Sequence, residues 1–147
     1  MIFFVGAGSG AIDLITLRGQ RLLEKADVII YAGSLVNPAL LKSAKEDAAI
    51  HNSAHMTLEQ VMDVMVKVDE QGKAVIRLHT GDPSIYGAIR EQIDQLKAQG
   101  ISCEVVPGVS SFSAAAATLQ AEYTLPEVGQ ALILTRMAGR TPVPEAE

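Results

Sequence analysis

The chain has 147 residues, 48% hydrophobic and 20% charged, which suits one packed α/β domain and excludes an intrinsically disordered segment. A net charge of -5 without a Lys/Arg cluster, zero Trp and 4% aromatic residues argue against nucleic-acid binding by charge or by stacking. No apolar run is long enough to span a bilayer, no basic region precedes the apolar start, and the lone Cys103 fits a reducing compartment, so a cytoplasmic protein is expected.

In chain order, residues 2–5 read as a buried strand that stops at Gly6-Ala7-Gly8-Ser9-Gly10. Thr16 caps a helix to about Ala26 with Leu22, Leu23 and Ala26 on one face. A strand follows at 28–31, ended by Ala32-Gly33-Ser34. Asn37 and Pro38 then open a helix to about Lys45. Ile50 and His51 fit a short strand. Thr57 and Gln60 form a capping box, and Leu58, Val61, Met62, Met65 and Val66 supply the apolar face of the next helix, which Gly72 ends. A strand at 74–78 leads into the loop 79–84. The helix after it runs to about Gln99, with Gly100 just beyond its end. A last strand at 102–106 precedes Pro107-Gly108 and an Ala-rich helix, capped by Ser110 or Ser111, to about Ala121.

Alternating strands and helices predict right-handed crossovers and a mainly parallel five-stranded sheet flanked by helices. Its strand-to-helix turns all fall on the carboxyl edge, where open α/β folds bind ligands. Residues 1–122 are expected to form this domain. Residues 123–147 read as a connector followed by a strand at 131–135, either an edge strand of the same sheet or the first strand of a second, truncated domain.

Gly6-Ala7-Gly8-Ser9-Gly10-Ala11 fits a permissive dinucleotide pattern and equally a purely structural tight turn. The acid that a nicotinamide site needs at the end of the second strand is absent, since Tyr31 is followed by Ala32 and Gly33. Thr80-Gly81-Asp82-Pro83 places an acid at the edge, as helix cap or as contact to a cationic or hydroxyl-rich ligand. Pro107-Gly108-Val109-Ser110-Ser111 offers backbone N–H groups and hydroxyls to a polar ligand. The three histidines and Cys103 lack metal-ligand spacing, and no nucleophile elbow occurs.

These pieces together resemble the tetrapyrrole (corrin and porphyrin) methyltransferases. They are Val5-Gly6-Ala7-Gly8-Ser9-Gly10 with Asp13-Leu14-Ile15-Thr16-Leu17-Arg18-Gly19, then Thr80-Gly81-Asp82-Pro83 with Tyr86-Gly87, then Val106-Pro107-Gly108-Val109-Ser110-Ser111. Tyr31-Ala32-Gly33-Ser34-Leu35-Val36-Asn37-Pro38 and Thr135-Arg136-Met137-Ala138-Gly139-Arg140 are similar to the members that methylate ring carbon 11 of a corrin precursor. The resemblance implies S-adenosylmethionine as methyl donor, S-adenosylhomocysteine as product, a corrinoid substrate and a homodimer. It also implies a second α/β domain beyond this chain, which by itself is then expected to be nearly inactive.

Carried over by position, cofactor contacts fall on Ser9, Thr80, Gly81, Asp82, Ile85, Ser110 and Ser111, and substrate contacts on Gly10, Arg18, Ser34 and Tyr86. Ser9 stands where the family usually has proline. Some relatives carry an aspartate base after the second-strand tyrosine; Ala32 stands there, so no catalytic base is carried over. Arg18, Arg77 and Arg90 are the cations near these turns that could meet a polycarboxylate.

Overall fold

The computed structural model describes residues 1–136. The chain divides into two compact units, Met1–Ala114 and a second beginning at Ala115. The first unit holds a fully parallel sheet of five strands: β1 (Ile2–Gly6), β2 (Val28–Tyr31), β3 (Ala49–Asn52), β4 (Val75–His79) and β5 (Cys103–Val106), in spatial order β3-β2-β4-β1-β5. β4 and β1 are central, paired from Ile2 with Val75 to Gly6 with His79. All five residues of β4 are buried, as a strand covered on both faces must be.

The α-helices among the described residues are α1 (Leu17–Lys25), α2 (Leu58–Glu70), α3 (Ile89–Ala98) and α4 (Ser111–Leu119). Thr16 caps α1 by accepting from the Gly19 N–H at 3.1 Å. The Thr57/Gln60 capping box opens α2. Leu23 and Ala26 join Val5, Ile29, Leu40 and Leu78 in the core on one face of the sheet. Val61, Met62 and Met65 of α2 and Leu96 of α3 join Ile2, Phe4, Val28, Ile30 and Val75 on the other.

Three expected elements differ. Residues 38–43 form a 3-10 helix, Pro38–Ser43, instead of an α-helix: Asn37 caps it through Ala39 N at 3.0 Å, and the backbone is already extended by Ala44. The helix after β4 starts only at Ile89, because Tyr86 (φ 54°) and Ala88 (φ 50°) take left-handed conformations that no helix continues. Residues 131–135 do not join the sheet as an edge strand, since none of its five strands includes them. Ahead of them, Leu125 and Gly129 close a short antiparallel bridge, with N···O distances of 3.0 and 3.1 Å.

Just before the amino end of β2, Asp27 ties three segments together. Its carboxylate accepts from Lys45 Nζ at 2.6 Å and from Ala74 N at 2.7 Å, and these bonds hold its pKa below the usual carboxylate range. The last turn of β4 buries His79, whose ring lies 6.0 Å from that of Phe4. Burial first, and the Arg77 charge second, push the His79 pKa down to about 3. A histidine neutral when folded but titrating near 6.5 when unfolded takes up its proton in the unfolded state first, so stability falls as pH drops. We expect unfolding free energy measured by urea titration to decline by about 1.4 kcal/mol per pH unit between roughly pH 6 and pH 4. His79→Leu should flatten that part of the profile.

Candidate functional site

The order β3-β2-β4-β1-β5 sends the connection leaving β1 toward β2 and the connection leaving β4 toward β5. Adjacent strands whose connections diverge open a crevice at their carboxyl ends. The first and third glycine turns flank that crevice, joined by a two-residue bridge in which Gly81 N donates to Gly8 O at 2.8 Å and Gly8 N donates to Gly81 O at 3.3 Å.

The turn after β5 closes against them at backbone distance. A Cβ placed on Gly108 would lie 2.1 Å from Gly81 O and 2.8 Å from Gly6 Cα, and one on Gly6 would lie 2.6 Å from both Gly108 Cα and Gly81 O. Only glycine lets three main chains meet this closely. Asp82 locks the arrangement: Oδ1 accepts from Ser84 N at 2.8 Å within its own turn, and Oδ2 accepts from Gly108 N at 3.0 Å in the next. Cap and inter-loop tie are thus one carboxylate. Asn37 does similar work for the first turn, donating from Nδ2 to Gly10 O at 2.7 Å.

A cleft of about 340 Å³ lies on this rim, at the small end of the range for small-molecule sites. Ser9, Thr80, Gly81, Asp82, Ile85, Ser110 and Ser111, the seven residues expected at a cofactor, all line it, and so does Tyr86. Gly8 and Leu35 complete the lining; both belong to the motifs that carry the resemblance without being among its expected contacts, and Leu35 follows Gly33-Ser34 in the turn after β2 and so comes to the same edge. Gly8 and Ser110 are buried, while Ile85 and Tyr86 are exposed and put apolar surface at the mouth.

Of the remaining expected contacts, Gly10 and Arg18 do not line the cleft. Gly10 is exposed at the end of the first turn. Ser34 lies in the 3-10 turn Gly33–Leu35, and its side chain is outside the described residues. Arg18, at the start of α1, donates to Glu104 of β5 at 3.1 Å. The other two candidate cations are engaged elsewhere: Arg90 pairs with Asp94 along α3 at 2.7 Å, and Arg77 is buried within β4. Side-chain direction decides these outcomes, and sequence proximity to a turn does not report it. Among the described residues no group of three His, Cys, Asp or Glu is placed to hold a metal, and no helix is long and apolar enough to cross a membrane.

The family model for Tetrapyrrole (Corrin/Porphyrin) Methylases matches residues 1–146, and the chain belongs to this family. It is 61% identical over 146 residues to a cobalt-precorrin-4 C(11)-methyltransferase of Methanocaldococcus jannaschii, covering 99% of this chain and 56% of the relative. Among solved structures it is similar to an X-ray structure of a cobalt precorrin-4 methyltransferase, with TM-score 0.95, 49% identity, and coverage of 99% of this chain and 61% of the other. It is also similar to a uroporphyrin-III C-methyl transferase from Thermus thermophilus complexed with S-adenosylhomocysteine, with TM-score 0.65, 32% identity, and coverage of 78% and 47%. The chain therefore spans about half the length of the relatives it matches.

Two substitutions test the rim. Gly108→Ala should cost about 3 kcal/mol by overpacking, since the added methyl meets backbone and no flexible side chain. Gly129→Ala, with open space and no positive φ, should be near neutral in the same urea titration. Asp82→Ala leaves two backbone N–H groups without their carboxylate. It should cost about 2 kcal/mol and raise amide hydrogen exchange at Gly108 selectively.

Proposed function

We propose that this chain forms part of an S-adenosylmethionine-dependent C-methyltransferase of cobalamin biosynthesis, acting on ring carbon 11 of precorrin-4 or its cobalt-containing form. The observation that carries the reading is the convergence of three separate glycine turns on one cleft at the switch point, in a chain 61% identical to a protein of that activity. A relative of the same family is solved with S-adenosylhomocysteine, which supports the choice of cofactor.

The lining suits that ligand. Hydroxyls of Ser9, Thr80, Ser110 and Ser111 and the Asp82 carboxylate offer partners for a ribose and an ammonium group, while Leu35, Ile85 and Tyr86 offer an apolar wall for a flat base. When bound, S-adenosylmethionine supplies an electrophilic sulfonium methyl. The chain's part is to hold donor and acceptor in line and keep water out; orientation of this kind is worth roughly 7–11 kcal/mol in well-aligned cases. Gly10, Ser34 and Tyr86, on the first, second and third turns, are the proposed corrinoid contacts. Arg18 joins them by exchanging Glu104 for a substrate carboxylate. A cytoplasmic homodimer belongs to the same reading, as does a methyl-transfer site completed by the further length that the relatives possess.

Calorimetric titration with S-adenosylhomocysteine should show binding, and NAD should show none. Ile85→Asp, at an exposed position on the apolar wall, should weaken S-adenosylhomocysteine on the order of tenfold with little change in stability. Arg18→Ala should weaken corrinoid binding and leave S-adenosylhomocysteine affinity unchanged. Equal binding of NAD and S-adenosylhomocysteine would overturn the assignment.

A further inference from the structure

Away from the cleft, a second cavity of about 130 Å³ opens between β4, the start of α2 and α3. It shares no lining residue with the cleft and includes Ser53, Thr57, Leu58, Arg77 and Gln92. Arg77 is 9% exposed and Gln92 4%. Arg77 Nη1 donates to Ile30 O at 3.2 Å, and Gln92 Nε2 donates to Ala88 O at 3.1 Å. Beyond these bonds, Arg77 Nε and Gln92 Oε1 are buried without a hydrogen-bond partner, and among the described residues no carboxylate lies within salt-bridge distance of Arg77.

A buried guanidinium without a counter-charge is costly, and even with its pKa lowered by burial to about 10 it stays cationic at neutral pH. None of the residues lining the cavity is acidic; one acid, Glu59, stands beside it in the first turn of α2, where its carboxylate is hydrogen-bonded by the Thr57 side chain. Ser53 and Thr57 are hydroxyl residues, and the thirteen-residue α2 begins there with its positive end. The volume is several times the roughly 30 Å³ share of one water in the liquid, so a tetrahedral or trigonal oxyanion fits. The unused valences are complementary: a cationic N–H donor asks for an anionic oxygen, and the amide oxygen of Gln92 asks for an O–H.

We propose that this cavity binds one small oxyanion that still carries a proton, of the hydrogen phosphate or bicarbonate class, between Arg77 and Gln92. The bound ion neutralises the guanidinium through charge-assisted hydrogen bonds and satisfies the amide through its own O–H.

The test uses the 147-residue chain in an anion-poor buffer, with inorganic phosphate titrated at constant ionic strength against gluconate, a carboxylate too bulky for the cavity. Thermal melting followed by circular dichroism should show a saturable rise in Tm of about 2–4 °C. Sulfate, which has no O–H at neutral pH, should need at least tenfold higher concentration for the same rise. Arg77→Met removes the cation and should abolish the response. Gln92→Glu places a fixed carboxylate beside Arg77 and should abolish it as well, so it decides the matter if the Met variant does not fold. An absent or non-saturable response in the unsubstituted chain would overturn the site. A rise that persists unchanged in Gln92→Glu would mean an adventitious ion only, and sulfate as effective as phosphate would overturn the proton-bearing class. None of these readouts involves S-adenosylhomocysteine, so failure here leaves the cleft assignment standing.

Discussion

Backbone contact among Gly6, Gly81 and Gly108 is what the rest of this unit is built around. The three residues end or follow strands β1, β4 and β5, neighbours in the sheet, and sit so near one another that a methyl on Gly6 or Gly108 has no place, while Gly81 takes a positive φ of 58°. Strand spacing in a sheet is set by hydrogen bonding, so loops leaving adjacent strands ordinarily splay apart to make room for side chains. Here that room is given up. The three turns form one continuous rim, stitched by the Gly8–Gly81 bridge and by the two bonds of Asp82.

A rim made of main chain has consequences for binding. Its polar groups are held by the sheet, so they need little reorganisation when a ligand arrives. The side chains that line the cleft are short hydroxyls, of which Ser110 is buried, and larger apolar groups that are exposed. This pattern can orient a ligand having one polar and one flat apolar part. The left-handed backbone at Tyr86 and Ala88 belongs to the same design: it delays the start of α3 and keeps Ile85 and Tyr86 in the turn, at the mouth of the cleft.

Strand β4 is unusual in carrying Arg77 and His79 alternately with apolar residues on a face otherwise occupied by Phe4, Ile30, Val61 and Met65. Burial acts on both in the same direction, lowering their affinity for a proton, but with different results. At neutral pH the histidine is left neutral, while the arginine remains a cation. One sheet face therefore contains a charge that the apolar core does not balance, and the small polar cavity at the head of α2 is where the balance is sought.

Much of this was legible in the amino-acid order. Strand and helix alternation, the Thr16 cap, the Thr57/Gln60 box and the glycines ending α2 and α3 are local signals, decided by the few residues around them, and each stands where it was expected. The parallel sheet and the carboxyl-edge location of the turns follow from chain handedness, and the seven proposed cofactor residues do meet at one cleft. Tertiary structure alone decided the rest. Arg18 faces Glu104, Arg90 faces Asp94 and Arg77 points into the core, because a long side chain follows the charge and space around it. Residues 131–135 have a strand's composition but no ladder, because pairing depends on a neighbour that composition cannot supply. Order along the chain determines which turns exist; distance across the fold determines which groups they bring together.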